Sequence, residues 1–496
     1  MKKTMIQYFE WDLPADRTLY KKLTNEASSL ARTGFNMVWM PPATKGAGGV
    51  FDVGYGAYDL YDLGEFNQKG SRSTKYGTKA QYLRAIGALQ HKQIDVIADV
   101  VLNHKMGGDT LEDAIASTVI RYDRNEVQEG THPVKTWTGF TFAERNNTYS
   151  SFQWTWRHFT GTDYNAATGQ NDILLFENKR WNDRVSHENG NYDFIMGCDV
   201  DFTNPDVLSE LYTWGRWYTQ LTGINGFRLD AVKNIDSSFF KCWLEEMHRT
   251  GNHPDFAVGE FWTGDLWELK QYLKDCDYCM RLMDVPLHYE LQRASMSNGT
   301  YDIRHLFLNT LSRTDPHHAC AFVDNHDTQP GQSLESWVLD WFKTAAYASI
   351  LLYRCECPCV FYGDYYGLPS SGREPVHNLR EMVWIRSHLL SDNMLDLFDE
   401  DRQKACWMAY GPHPVVVIYT IADWKEKVFT EPNYAGYRMV DVMEPSHVET
   451  FDAQGTIRVT CRPGCASVYI LEKDYTRMKK ELEKAVPKRG RKTKRI

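Results

Sequence analysis

The sequence predicts an α/β chain built on a (β/α)8 TIM barrel, with a β-rich domain inserted after the third strand and an antiparallel β-sandwich at the C-terminus. Three observations lead there. About eight short apolar runs alternate with helical segments through the first two-thirds of the chain. The alternation breaks between residues 103 and 203, a stretch rich in Gly, Asn, Asp, Trp and Tyr and poor in helical periodicity. Beyond residue 393, β-type runs such as 415–421 and 467–471 are separated by turn residues. The expected organisation is a barrel from 1–102 and 204–392, an insertion at 103–203, a β-domain at 393–472 and a basic tail without fixed structure at 473–496. A doubly wound sheet would show the same alternation, so pattern alone leaves barrel closure open.

Taken in order, residues 5–9 read as the first strand. Asp16 or Thr18 caps a helix with Leu19, Leu23, Ala27 and Leu30 at helical spacing, ended by Gly34. Residues 35–40 form a second strand, stopped by Pro41-Pro42; 82–90 is a helix and 94–102 a buried strand. After the insertion, Asn204-Pro205 is a cap followed by proline at the first helical position, and Leu208, Leu211, Trp214, Trp217 and Leu221 continue that helix. Residues 226–230 and 256–261 are strands around a helix at 243–249, and 278–284, 319–325 and 360–362 are further strands. A long helix is expected over 336–352.

Composition narrows the function. The 496 residues suffice for several domains, and the formal net charge of −9 argues against a nucleic-acid surface on the main body. The basic cluster from Lys488 to the end is read as a solvated tail. No run approaches the ~20 apolar residues of a membrane helix. The N-terminal segment lacks the apolar stretch of an export signal, and the 11 cysteines are an odd, scattered set. A cytoplasmic protein with reduced thiols is therefore expected. Cys276 and Cys279 have C-x-x-C spacing, but no companion pair at zinc-binding distance.

Three acidic residues stand at the C-terminal ends of predicted strands: Asp230, Glu260 and Asp327. In a β/α barrel those ends converge on one mouth. Glycosidic cleavage needs two carboxyl groups in opposite states, one ionised and one protonated, and crowding plus burial separates their pKa values. Arg228, two residues before Asp230, shares its strand face and can keep it ionised. Asp230 is then the expected nucleophile and Glu260 the expected acid.

Four segments carry a resemblance to the α-amylase family of glycoside hydrolases: Asp99-Val-Val-Leu-Asn103-His104, Gly226-Phe-Arg228-Leu-Asp230-Ala-Val-Lys233, Gly259-Glu260-Phe-Trp262 and Phe322-Val-Asp-Asn-His326-Asp327. Any one is weak; four in order are specific. Tyr76-Gly-Thr-Lys79 and Glu188-Asn-Gly-Asn-Tyr192 make the likeness strongest to bacterial liquefying α-amylases. The resemblance implies hydrolysis of internal α-1,4 bonds in starch, glycogen or maltodextrins, with retention through a covalent glycosyl-enzyme. It implies that Asp327 binds the sugar's 2- and 3-hydroxyls, that His104 and His326 hydrogen-bond the sugar at the cleavage point, and that Arg228 orients Asp230. Tyr55 would stack under that sugar, while Lys233 and Trp262 line neighbouring subsites.

The same resemblance implies one structural calcium held by Asn103, Asp193, Asp199 and a carbonyl near Asn234. Liquefying relatives carry further cations in the inserted domain, where this chain has Thr160, Asn182 and Thr203 and keeps Asp201. Charge count sets calcium affinity, so further sites are expected to be weak or absent. The expected partner is an α-glucan oligo- or polysaccharide, with no nucleic acid and no membrane, and the chain is expected to act as a monomer. Two rivals stand beside this reading. A transferase would use the same carboxylates but pass the glycosyl group to a sugar. A non-catalytic glucan-binding relative would lack at least one of them.

Overall fold

The computed structural model describes residues 2–250 and 254–485. Eight strands close a barrel: β1 (Met5–Gln7), β2 (Met37–Met40), β3 (Asp95–Val100), β4 (Gly226–Leu229), β5 (Phe256–Gly259), β6 (Arg281–Met283), β7 (Ala319–Phe322) and β8 (Pro358–Phe361). Each pairs in parallel with the strand before and after it in sequence, and β8 returns to β1 with Cys359 opposite Met5. That closure decides what periodicity left open. Every strand is buried apart from Asp95 at the start of β3, as parallel sheets covered by helices require. Gly226 sits where a side chain cannot: a Cβ there would lie 2.3 Å from the Phe256 carbonyl on the neighbouring strand.

Helices α1 (Leu19–Thr33), α2 (Lys79–Gln90), α3 (Pro205–Thr222), α4 (Ser237–Thr250), α5 (Leu266–Asp275), α6 (Val285–Met296), α7 (Lys343–Leu352) and α8 (Leu379–His388) accompany them. Their ends follow local chemistry. Gly34 closes α1 in a left-handed conformation at φ 115°, Thr78 and Gln81 form a reciprocal capping box on α2, and Asn204 caps α3 ahead of Pro205.

Between β3 and α3 lies a six-stranded sheet dominated by the hairpin Thr110–Ile120 with Asp123–Gly139. Its inner edge is the short pair His104–Lys105 and Cys198–Val200, which roots it beside the end of β3. After α8 the chain forms a six-stranded antiparallel sheet and a two-stranded sheet, Lys425–Thr430 with Thr456–Cys461.

Two expectations are corrected. Residues 473–485 belong to helix α9 (Glu472–Ala485), not to an unstructured tail; Met478 and Leu482 are buried against the core, and Glu481 accepts from the Trp384 indole at 2.9 Å. The Lys and Arg of the tail hid an apolar stripe that needs α1 and α8 to complete it. Residues 486–496 lie outside the described residues. The helix predicted over 336–352 begins only at Lys343, after a 3-10 turn at Asp340–Phe342. The Ser336 and Val338 amides are taken by the Thr328 carbonyl (3.2 Å) and the Asp324 carboxylate (3.3 Å), so they cannot enter a helical ladder.

Candidate active site

Asp230, Glu260 and Asp327 follow β4, β5 and β7 and meet in one cleft of ≈490 Å3. Tyr55, His104, Lys233, Asn234 and Trp262 line the same cleft, together with Trp11, Glu188 and Tyr192. The geometry is organised by Arg228, which is fully buried. Its guanidinium contacts Asp230 Oδ1 at 2.5 Å, Glu260 Oε2 at 2.8 Å and Asp99 Oδ1 at 3.1 Å. Sequence reasoning assigned Arg228 to Asp230 alone; the barrel adds the other two because β3 and β5 flank β4.

Asp230 and Glu260 lie within hydrogen-bonding reach of each other. Burial, above all, raises the pKa of both, and Arg228 opposes that rise in each. Asp327 is raised well above the carboxylate range by burial and then by Glu260. Three carboxylates thus share one guanidinium, with Asp327 close enough to feel the charge of Arg228 and Glu260. Such crowding cannot leave all of them ionised, which supplies a protonated acid beside an ionised partner. The Ala231 backbone, left-handed at φ 48°, turns its N–H toward Glu260 Oε2 at 3.3 Å. A non-glycine residue held there is backbone strain stored beside the Asp230 and Glu260 carboxyls.

Asp99, not singled out from sequence, accepts from the Trp39 indole (2.9 Å), the Tyr55 hydroxyl (2.7 Å) and Arg228. Its signal was available, since it opens the first of the four motifs. Tyr55 lies nearly parallel to Trp11 and to His326, at centroid distances of 6.0 and 4.9 Å, making an aromatic wall. His104 Nε2 is engaged by the Tyr55 carbonyl at 2.8 Å, and its Nδ1 is buried without a partner.

His326 Nδ1 meets the Gln7 side-chain amide at 3.0 Å, and burial holds the ring neutral by lowering its pKa far below normal. With Nδ1 accepting from Gln7, the proton sits on Nε2, 3.2 Å from Asp327 Oδ2. Gln7 was invisible as a site residue, because nothing in a strand β1 of three residues marks which side chain faces inward. Lys233 Nζ donates to Glu188 (2.8 Å) and to the Trp262 carbonyl (3.0 Å), and the Trp262 indole donates to the Tyr289 hydroxyl at 3.0 Å.

The four residues named for calcium gather at the root of the inserted sheet. Asn103 Oδ1, Asp199 Oδ2 and Asn234 Oδ1 are buried and lack hydrogen-bond partners. The Asn103 carbonyl accepts from Val200 (3.0 Å), and the Asn234 amide donates to the Tyr192 carbonyl (2.5 Å), next to Asp193. Burial, then the Asp193 charge, pushes the Asp199 pKa up. Among the described residues no three His, Cys, Asp or Glu side chains converge as a metal set. A cation here would draw on two carboxylates and two amide oxygens. Orphaned hard oxygens of that kind suit calcium. All 11 cysteines, Cys276 and Cys279 included, are free thiols.

Comparison with known proteins agrees with this geometry. The α-amylase catalytic-domain family matches residues 23–410. An α-amylase of Geobacillus stearothermophilus is 51% identical over 369 residues, 74% of this chain and 67% of that protein. The cytoplasmic α-amylase of Escherichia coli is 37% identical over 490 residues, 95% of this chain and 99% of that protein. The solved α-amylase of Geobacillus thermoleovorans, in complex with acarbose, shares the fold with a TM-score of 0.62 at 17% identity, covering 95% of this chain and 98% of that one. The chain belongs to the α-amylase family of glycoside hydrolases.

Proposed function

We propose that this α-amylase cleaves internal α-1,4 bonds of starch, glycogen or maltodextrins with retention, using Asp230 as nucleophile and Glu260 as acid and then base. The observation that carries the assignment is the pairing of both carboxyls on the two terminal nitrogens of the one Arg228 guanidinium, which holds them side by side. A close pair is the retaining arrangement, whereas inversion needs a gap of about 6.5–9.5 Å to seat water. Glu260 protonates the glycosidic oxygen as Asp230 attacks the anomeric carbon, so the C–O bond breaks while a glycosyl ester forms. Glu260, now ionised, takes a proton from water, which displaces Asp230 and restores both groups. Asp327 grips the sugar hydroxyls, and His326 offers its Nε2 proton beside it. His104 contributes its free nitrogen, Tyr55 stacks under the ring, and Lys233 and Trp262 hold the neighbouring sugar.

Asn103, Asp193, Asp199 and the Asn234 region would hold one calcium, which ties the inserted sheet to the barrel. A second cation is disfavoured, because the Asp201 carboxylate is already paired with Lys179 Nζ at 2.5 Å and with the Thr203 hydroxyl at 2.6 Å. We place the protein in the cytoplasm, as the name of the E. coli relative spanning 95% of the chain supports. No described helix is long and apolar enough to cross a membrane. We take the barrel as 1–102 with 204–392, the insertion as 103–203 and the C-terminal β-domain as starting at 393. The chain is proposed to work as a monomer.

The test is hydrolysis of blocked maltooligosaccharides by wild type and Glu260→Gln, with the anomer of the first product read by NMR. Loss of a general acid should lower kcat about 10²–10⁴-fold, and wild type should release the α-anomer. A fully active variant or a β-product would overturn the assignment.

A further inference from the structure

Beyond the Lys233–Glu188 ion pair lies a second groove of ≈460 Å3 whose walls include Ser186, His187, Phe261, Trp267, Gln271 and Tyr272. No residue lines both spaces, but their linings adjoin along two segments of chain. Ser186 and His187 lead directly into Glu188 of the active cleft, and Phe261 stands between Glu260 and Trp262, which also line it. Lys233, bridging Glu188 and the Trp262 carbonyl, forms the sill between them. The Ser186 amide donates to the Lys233 carbonyl at 2.9 Å, which ties the far wall to the same sill.

The lining suits a sugar chain. Trp267, in the first turn of α5, is 67% exposed and presents an indole in a groove otherwise edged by Asp183, Glu268 and Gln271. Other large apolar side chains are exposed on this protein; what distinguishes Trp267 is that it lines this groove. Pyranose rings offer apolar C–H faces to an indole and hydroxyls to carboxylates and amides. Tyr272, in the same wall, carries a buried hydroxyl with no hydrogen-bond partner, an unmet polar group of the kind that binding sites retain.

Direction follows from the chemistry. The residue next to the acid Glu260 walls this groove, and the acid protonates the oxygen of the departing sugar. The groove therefore lies on the leaving-group side. We propose that it is an extended binding site for the leaving, reducing-end portion of long α-1,4-glucans, with Trp267 as its stacking platform. This rests on the glucan-hydrolase reading above.

The experiment compares wild type, Trp267→Ala and Trp267→Phe on reducing-end-labelled maltodecaose and on maltotetraose. Maltotetraose places at most three sugars on the leaving side of the bond being cut, so it draws far less on a groove beyond the Lys233 sill. Losing the stacked ring should lower kcat/KM on maltodecaose about 3- to 10-fold in Trp267→Ala, with less than about a 2-fold change on maltotetraose. Cleavage of maltodecaose should move toward the labelled end, since binding modes that reach the groove lose their advantage. Trp267→Phe should restore most of the preference. Equal losses on both substrates, or an unchanged cleavage pattern in an active Trp267→Ala, would overturn the groove and leave the hydrolase reading standing. A wild type inactive on both would overturn the two together.

Discussion

Replacing Lys343 by methionine tests how the cleft is held from beneath. Lys343 Nζ lies 2.5 Å from Asp324 and 2.7 Å from Asp364, over the Trp337 ring at 3.4 Å, and all three charged side chains are at most 2% exposed. Asp324 also accepts from the Thr328 hydroxyl at 2.7 Å, and Asn325 Oδ1 accepts from the Asp327 amide at 2.9 Å. The ammonium thus anchors the turn that carries His326 and Asp327. Removing one partner of a buried ion pair costs about 3–5 kcal/mol, and here two carboxylates are left facing each other. A melting entropy of about 2.1 cal/mol/K per residue, or about 1 kcal/mol/K for the chain, converts this to a Tm loss of about 3–5 °C.

The loss should depend on pH. Burial raises both Asp324 and Asp364 to about 6 even with the ammonium present. Folded pKa values above the unfolded 3.8 mean that the folded state holds extra protons. That contribution is full below the unfolded value and disappears as pH rises through about 6. Without Lys343 both pKa values climb further. At pH 5 the orphaned carboxyls are protonated, and the cost falls toward the about 1–3 kcal/mol of an unpaired polar group. Calorimetry at pH 7.5 and pH 5 should therefore show a Tm penalty at the higher pH about twice that at the lower. An equal penalty at both values, or none, would refute the reasoning.

Three further outcomes follow from named contacts. Gln7→Leu frees the His326 tautomer and should lower kcat/KM about 10-fold, the worth of one buried hydrogen bond at about 1.4 kcal/mol, and alter the pH–rate profile; an unchanged profile argues against a positioning role. Chelation should lower Tm, and titration back should saturate near one calcium per chain, since Lys179 already neutralises Asp201; three tightly held ions after exhaustive dialysis would contradict this. A chain ending at residue 471 should lose about 3–6 kcal/mol through exposure of the surface that Met478 and Leu482 cover, measured as a shifted denaturation midpoint.

The sequence by itself determined the alternation of strands and helices, their caps, the interruption after the third strand and the three carboxylates, because each is written in local spacing or short motifs. Asn204-Pro205 and Gly34 mark helix ends through interactions within a turn, and such signals survive without knowledge of the fold. Tertiary structure alone decided which distant groups share a charge. Arg228 serves Asp99 and Glu260 as well as Asp230 because strand neighbours across the barrel are set by closure. Gln7 meets His326 across 319 residues, a contact with no trace in local pattern. The same reason explains the two misread helices. Residues 336–339 read as the start of a helix, but the Ser336, Val338 and Leu339 amides are claimed by Thr328, Asp324 and Ser295, while the charged stretch after 472 folds only because α1 and α8 present an apolar surface to it. Local propensity is worth tenths of a kcal/mol per residue, and burial of one side chain outweighs it.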